Sequence, residues 1–303
     1  MRGQGLRRPP QSPPRDRARP GIREKPCARR PILLSSSRRK GCWRHMTSYV
    51  TLEQGRGLPL VMLHGMMGVP ENWKGVFPHL PETCRAVALR FPFFEDGVEL
   101  NSVPAVAAYA EGYMDQAGID SAVLCGNSLG GHVALDLAMK DPRRVRGLIL
   151  TGSSGLFERT FGSVTPHPPR EWVYEKVSEI FYDKSHATDE LVDWVIQIIA
   201  ERQNVRDLVK IAKSAKRDNV AERLKQIRCP VLLLWGRQDE ITPPNVAEEF
   251  HQRLPNSELV WQDHCGHTPM MEYPRQFGEI VGRWWNRVIV PKDPTPRADR
   301  AVT

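Results

Sequence analysis

One pentapeptide constrains this 303-residue chain more than any other stretch: Gly126-Asn127-Ser128-Leu129-Gly130. It follows an apolar run, Ala122-Val123-Leu124-Cys125, and precedes a segment with apolar residues at helical spacing to about residue 140. A strand that passes into a helix through so short a link must turn sharply, and the residues flanking the turn must be small. The two glycines meet that demand. Such a turn lifts Ser128 Oγ above the end of a sheet and sets the Leu129 N–H at a helix N-terminus. There an unpaired donor and the helix dipole can stabilise a developing oxyanion. The pentapeptide by itself is a weak signal; the strand before it and the helix after it give it force.

Further apolar runs rich in β-branched residues recur at Leu60–Leu63, Ala86–Leu89, Leu148–Leu150, Val231–Trp235 and Glu258–Trp261. Helical patterns over Val103–Ala117, 244–253 and 274–288 fall among them. This alternation predicts an α/β fold, a mostly parallel doubly wound sheet. Between about 156 and 227 the strands stop. Helix-period apolar positions over Arg170–Tyr182, Asp189–Arg202, Val205–Lys216 and Val220–Ile227 predict four helices inserted as a cap. Stripes such as Trp172, Val173, Val177, Ile180 and Phe181 read as packing faces rather than cofactor contacts. The expected organisation is a core of 46–155 and 228–290, a helical cap of 156–227 and a flexible tail of 291–303.

A serine hydroxyl needs a base to become a useful nucleophile, and the base needs an acid to orient it. The loop Asp263-His264-Cys265-Gly266-His267, after the last apolar run, offers the base. His267 is preferred to His264 because it stands in Cys-Gly-His, just ahead of Thr268-Pro269 and the final helix. Asp239, in Gln238-Asp239-Glu240 at the end of the Val231–Trp235 run, is the expected acid. Singly, Asp239 reads as a surface turn residue; the order Ser, Asp, His, with each at a strand end, makes it catalytic. Asp263, His264, Cys265 and His267 are too crowded in sequence to read as a zinc site, so no metal or other cofactor is expected.

The charge is unevenly spread. Residues 1–45 hold 14 of the 43 Lys and Arg against only Asp16 and Glu24, which leaves 29 basic and 33 acidic residues in the remainder. The body is mildly acidic and carries no basic footprint for nucleic acid. The first 45 residues are rich in Arg and Pro and are expected to be a disordered basic extension, with Met46 a candidate for the true start. They lack the apolar stretch of a secretory signal, and their prolines oppose the amphipathic helix of a transit peptide. A nucleic-acid-binding tail would have Trp43 as its one aromatic. No apolar run is long enough to span a membrane. Six cysteines without a CxxC pair, Cys125 and Cys229 at expected buried strands, read as free thiols in a reducing, cytoplasmic setting.

On these motifs the body, 46–290, resembles the α/β-hydrolase superfamily. His64-Gly65-Met66-Met67-Gly68 is similar to that family's oxyanion loop, and the resemblance implies that the backbone N–H groups of Met66 and Leu129 are the two oxyanion donors. Gly126-Asn127-Ser128-Leu129-Gly130-Gly131 and Cys265-Gly266-His267 also resemble the carbon–carbon bond hydrolases of aromatic-ring degradation, a group alongside esterases and cofactor-free haloperoxidases. The chain departs from carbon–carbon hydrolases in carrying Thr268, not Trp, after the histidine. Its Arg90–Asp96 loop lacks the common Asp-x-x-Gly-x-Gly-x-Ser pattern. Epoxide hydrolases and haloalkane dehalogenases are disfavoured, because they place Asp where Ser128 stands.

The expected function is that of a serine hydrolase for a small or medium, largely apolar ester, or for the carbon–carbon bond of a diketone. Ser128, His267 and Asp239 would act with the oxyanion hole on a small-molecule substrate. The alternative is a non-enzymatic ligand receptor or scaffold on the same fold; oligomeric state is not legible. His132 and His64 read as packing and loop-bracing residues, and Asn127 as either pocket lining or elbow fit. Met67, Phe93, Phe94, Phe157 and Trp172 face either a substrate or the core.

Overall fold

The computed structural model describes residues 49–95, 97–159 and 168–292. The expectations for residues 1–45, and nearly all of those for the tail 291–303, lie outside these residues. Seven strands form one sheet: β1 (Thr51–Gly55), β2 (Leu58–Leu63), β3 (Cys84–Leu89), β4 (Ala122–Asn127), β5 (Val145–Thr151), β6 (Val231–Gly236) and β7 (Ser257–Gln262). Their spatial order is β1-β3-β2-β4-β5-β6-β7. Only β1 runs antiparallel to its neighbour. It was not anticipated from sequence. Its residues, Thr-Leu-Glu-Gln-Gly, are half-buried or exposed along an edge, so they carry little apolar signal.

The pleat sends alternate residues into two cores. Val61, Leu63, Val87, Leu89, Leu124, Leu148, Leu150 and Leu233 face one side. They pack on α1 (Val103–Gln116), α2 (Leu129–Lys140) and α6 (Pro244–Arg253). Leu60, Met62, Ala86, Ala88, Val123, Cys125, Ile149, Leu232 and Leu234 face the other. There they meet Phe277, Val281 and Trp284 of α8 (Pro274–Trp284), which follows the short turn α7 (Pro269–Glu272). Burial on both faces is why the central strands read as unbroken apolar runs.

Between β5 and β6 stand α3 (Arg170–Ser178), α4 (Asp189–Ala200) and α5 (Arg202–Arg217). Thr188 caps α4, its hydroxyl accepting from the Leu191 N–H at 3.3 Å. Val173, Val177, Phe181, Val192, Ile198 and Ile199 form a separate cluster, against which Met67, Phe94 and Trp172 pack.

Two helical expectations differ from the structure. Val220–Ile227 is not a helix: turns and one 3-10 turn at Leu224–Gln226 bury Val220, Leu224 and Ile227, and the Val220 N–H is taken by Gly155 O at 2.8 Å. The third-helix pattern ends at Ser178 instead of Tyr182, because the backbone of 180–183 bonds elsewhere in the fold. Ile180 O accepts from the His267 N–H at 2.8 Å. The N–H groups of Tyr182 and Asp183 donate to Glu272 Oε2. Among the described residues no helix is long and apolar enough to cross a membrane.

Candidate active site

Ser128 links β4 to α2 with φ 52° and ψ −120°, a conformation that costs a non-glycine residue about 1–3 kcal/mol. Three glycines make the turn possible. A Cβ on Gly126 would lie 2.3 Å from Gly130 O, one on Gly130 would lie 2.1 Å from Leu63 O, and one on Gly131 would lie 2.4 Å from Ser153 Oγ. The strand, the turn and the helix are therefore locked against β2 and the end of β5. The Leu129 N–H begins α2, so no carbonyl of its own helix can accept it. Ser128 itself is 8% exposed.

Asp239 lies in the loop after β6 and His267 in the loop after β7, each next to the carboxyl end of its strand. His267 Nδ1 is 2.9 Å from Asp239 Oδ2 and 3.1 Å from Oδ1. Asp239 is held in turn: Oδ1 accepts from the N–H groups of Ile241 and Thr242 at 2.9 Å, and Oδ2 accepts from Thr242 Oγ1 at 2.8 Å. A carboxylate that accepts at Nδ1 leaves Nε2 as the free nitrogen of a neutral imidazole. Burial alone would lower the His267 pKa, but Asp239 by charge and hydrogen bond, then Glu158 and Glu272 by charge, raise it above the ordinary histidine value.

His264 does not share this position. It is exposed, has φ 54°, and its ring lies 5.4 Å from that of Tyr182. His132 is fully buried on α2, with Nε2 3.3 Å from Asp218 Oδ2 at the end of α5, which fits packing between core and cap. Asn127 ties the histidine loop to the elbow, its Nδ2 donating to Thr151 O at 3.1 Å and to His267 O at 3.0 Å.

The loop after β2 reaches over the serine. A Cβ on Gly65 would stand 3.2 Å from Ser128 Cβ, so any larger residue there would crowd the serine. His64 braces the loop as expected, donating from Nδ1 to Gly65 O at 2.8 Å and accepting at Nε2 from the Phe91 N–H at 3.0 Å. The bond from Phe91 needs a lone pair on Nε2 and so the neutral ring, whereas the bond to Gly65 O survives protonation and favours it. Burial is the main cause that lowers its pKa to about 4. The folded state therefore takes up this proton less readily than the unfolded chain. Stability is lost as pH falls from about 6.5 towards 4. An NMR titration of the His64 ring should show a midpoint near 4. A midpoint near the ordinary histidine value would mean that the Phe91 bond is not made in solution.

The cap holds both loops. Trp194 Nε1 on α4 donates to Met67 O at 3.0 Å, at a residue with φ 63°. Glu272 accepts from the Gly266 N–H at 2.7 Å and from the Tyr182 N–H at 2.8 Å, joining the histidine loop to the segment after α3. A Cβ on Gly266 would meet Ile180 O at 2.7 Å, which explains the glycine before His267. Among the aromatic candidates, Phe157 is 55% exposed, while Phe93 packs in the core 5.9 Å from the His64 ring.

One carboxylate in the site was not anticipated. Ser128 Oγ donates to Glu158 Oε1 at 3.3 Å. Burial raises the Glu158 pKa, opposed by His267, Ser128 and His132 in that order, while Asp239 adds to the rise. No sequence pattern marks Glu158, nor Glu272, whose partners are far away along the chain. Thr242 carried a faint signal, a hydroxyl three residues after an aspartate in a strand-end loop, where such side chains bond locally. Among the described residues Cys84, Cys125, Cys229 and Cys265 are free thiols, and burial raises the pKa of each, to about 12 for Cys84.

A serine on a strained strand-to-helix turn, with a buried His–Asp pair from two neighbouring strand ends, belongs to the doubly wound α/β proteins that place their sites at the carboxyl end of the sheet. The sequence pattern of the alpha/beta hydrolase family matches residues 60–280. The 2-hydroxymuconate semialdehyde hydrolase of Pseudomonas sp. (strain CF600) is 30% identical over 247 residues, 76% of this chain and 87% of that protein. The pimeloyl-[acyl-carrier protein] methyl ester esterase of Nitrosomonas europaea is 29% identical over 74% of this chain and 94% of its own length. The crystal structure of an alpha/beta hydrolase enzyme from a lagoon-sediment metagenome superposes with a TM-score of 0.65 at 33% identity, covering 82% of this chain and 97% of that one. The protein belongs to the alpha/beta hydrolase family. It is a hydrolase, and its relatives include both carbon–carbon bond hydrolases and esterases.

Proposed function

We propose that the protein is a serine hydrolase that cleaves a small or medium, largely apolar ester by two-step acyl transfer. The observation that carries this reading is the strained backbone of Ser128, φ 52°, at the head of α2. Strain of this kind persists only where the surroundings enforce it, and the residue before the serine, Asn127, is tied to the His267 carbonyl at 3.0 Å. In the first step His267 Nε2 takes the Ser128 proton as Oγ attacks the carbonyl carbon. The N–H groups of Met66 and Leu129 hold the oxyanion. His267, now an imidazolium stabilised by Asp239, gives its proton to the leaving alcohol, and an acyl-enzyme remains. Water then attacks under the same base, and Ser128 recovers its proton.

A second reading, cleavage of a carbon–carbon bond in a diketone, is favoured by the names of several relatives, among them the 2-hydroxymuconate semialdehyde hydrolase. Thr268, not Trp, follows His267 and is buried with Oγ1 unpaired, which leaves this part of the site unlike that subgroup's pattern. Under this reading a vinylogous dienol-keto acid should turn over far faster than 4-nitrophenyl esters. Equal or reversed rates rule it out.

The direct test is exposure to a serine-reactive fluorophosphonate, followed by intact mass and peptide mapping. A single adduct on Ser128 is expected. Folded protein that takes no adduct, or takes it on another serine, overturns the assignment of the nucleophile.

A further inference from the structure

Glu158 stands on the segment that leaves β5 for the cap, and its carboxyl meets the reactive hydroxyl itself: Oε1 is 3.3 Å from Ser128 Oγ. Its backbone is fixed from the next residue, whose N–H donates to Ile241 O at 2.7 Å. The neighbouring cation does not neutralise it. The Arg159 guanidinium lies 3.3 Å from Glu240 and 3.6 Å from Glu179. Among the described residues no Lys or Arg forms an ion pair with Glu158. The titratable groups that bear on it are His267, Asp239 and His132, with the Ser128 hydroxyl as its hydrogen-bond donor. His267 thus has Asp239 at Nδ1 and a second carboxyl acting on it by charge.

The proposed triad does not need Glu158; its effect falls on what can approach. A reactive carbonyl carbon must come to about 3–3.5 Å from the nucleophilic oxygen. Because Glu158 Oε1 contacts that same oxygen, groups near the carbonyl come within roughly 6–9 Å of its carboxyl, which bears a charge whenever it is ionised. Two like charges at such separations, at an effective dielectric of about 20, disfavour each other by roughly ten- to a hundredfold. A cation there is favoured, and a neutral chain is indifferent.

We propose that Glu158 is the specificity-determining residue of this site, reserving it for neutral or cationic acyl groups and rejecting acyl groups that carry a carboxylate. The proposal rests on Ser128 being the nucleophile, and it bears on the choice between the two substrate classes above. A dienol-keto acid brings its own carboxylate into this field, whereas a neutral ester does not.

The test compares three 4-methylumbelliferyl esters in wild type, Glu158→Gln and Glu158→Asp: the pentanoate, the anionic monoester of glutaric acid and the cationic 4-trimethylammoniobutanoate. In wild type, kcat/KM for the anionic ester should fall below the neutral one by roughly ten- to a hundredfold at low salt. Glu158→Gln should bring that ratio to within about threefold of unity and remove any advantage of the cation, while Glu158→Asp retains the discrimination. The wild-type ratio of the cationic to the neutral ester, neither of which titrates, should also narrow as pH falls and Glu158 takes up a proton. The titration of His267 affects all three esters alike and cancels. An anionic-to-neutral ratio in Glu158→Gln equal to wild type overturns the proposal, as does a wild-type cationic-to-neutral ratio that does not change with pH. Fluorophosphonate labelling of each variant separates this failure from a wrong nucleophile. If Ser128 takes the adduct while the ratios stay put, only the role of Glu158 is lost; if Ser128 takes none, the acyl-transfer reading goes first.

Discussion

Ser128→Ala is expected to lower kcat on a reactive ester by about 10⁶ while leaving the protein folded. The size follows from what is lost: without the hydroxyl there is no acyl-enzyme, and His267 has no proton to take. What remains is binding together with the proposed oxyanion donors, the N–H groups of Met66 and Leu129; comparable sites retain about 10³–10⁴ over water. The fold should tolerate the change. The side chain makes one hydrogen bond, to Glu158, so stability should shift by no more than about 1 kcal/mol. Alanine also meets the same left-handed backbone that serine already bears. Steady-state kinetics on 4-nitrophenyl butyrate, with a urea midpoint for each protein, checks both halves. Wild-type turnover in the variant overturns the acyl-transfer reading; loss of activity together with loss of the folded baseline leaves fluorophosphonate labelling of the wild type to decide it.

Asp239→Asn should cost about 10⁴ in kcat, for a reason visible in the surrounding bonds. Oδ1 accepts two backbone N–H groups, from Ile241 and Thr242, so the amide of an asparagine must keep its oxygen there. Its NH₂ then occupies the place of Oδ2 and faces His267 Nδ1 as a donor. The imidazole must accept at Nδ1, and its proton moves to Nε2, the nitrogen proposed to receive the serine proton. The same change removes the leading charge that raises the His267 pKa, leaving burial, which lowers it, opposed only by Glu158 and Glu272. The base must be neutral to act, so activity is lost as pH falls through this pKa. The acid limb of the wild-type kcat/KM profile should lie above the ordinary histidine value, and in Asp239→Asn it should move to lower pH. A limb that stays in place would assign the pH dependence to another group.

The core fold was legible because the central strands are buried on both faces and therefore carry unbroken apolar runs. The runs at 60–63, 122–125 and 231–235 all fall within strands of the sheet. β1 carries no such run for the converse reason: an edge strand half in water need not be apolar. The cap was legible as helices but not in its boundaries. The Arg170–Tyr182 pattern breaks after Ser178 because Ile180 and Tyr182 bond to the histidine loop and to Glu272, a demand written about ninety residues away.

The three residues proposed for the chemistry could be read from sequence because each sits in a locally constrained place. The glycines around Ser128 answer to steric needs of the turn itself, and His267 follows a glycine at a crowded strand-end loop. Asp239 was readable only in company with the other two. The tertiary structure alone decided the longer-range surroundings: Asn127 holding the His267 carbonyl, Trp194 holding Met67, and Glu158 against Ser128. Local sequence determines which backbone shapes a segment can adopt, and so where a serine can be lifted clear of a sheet. Which charge faces that serine depends on bonds between segments tens to more than a hundred residues apart, and on burial that exists only once the chain has closed around them.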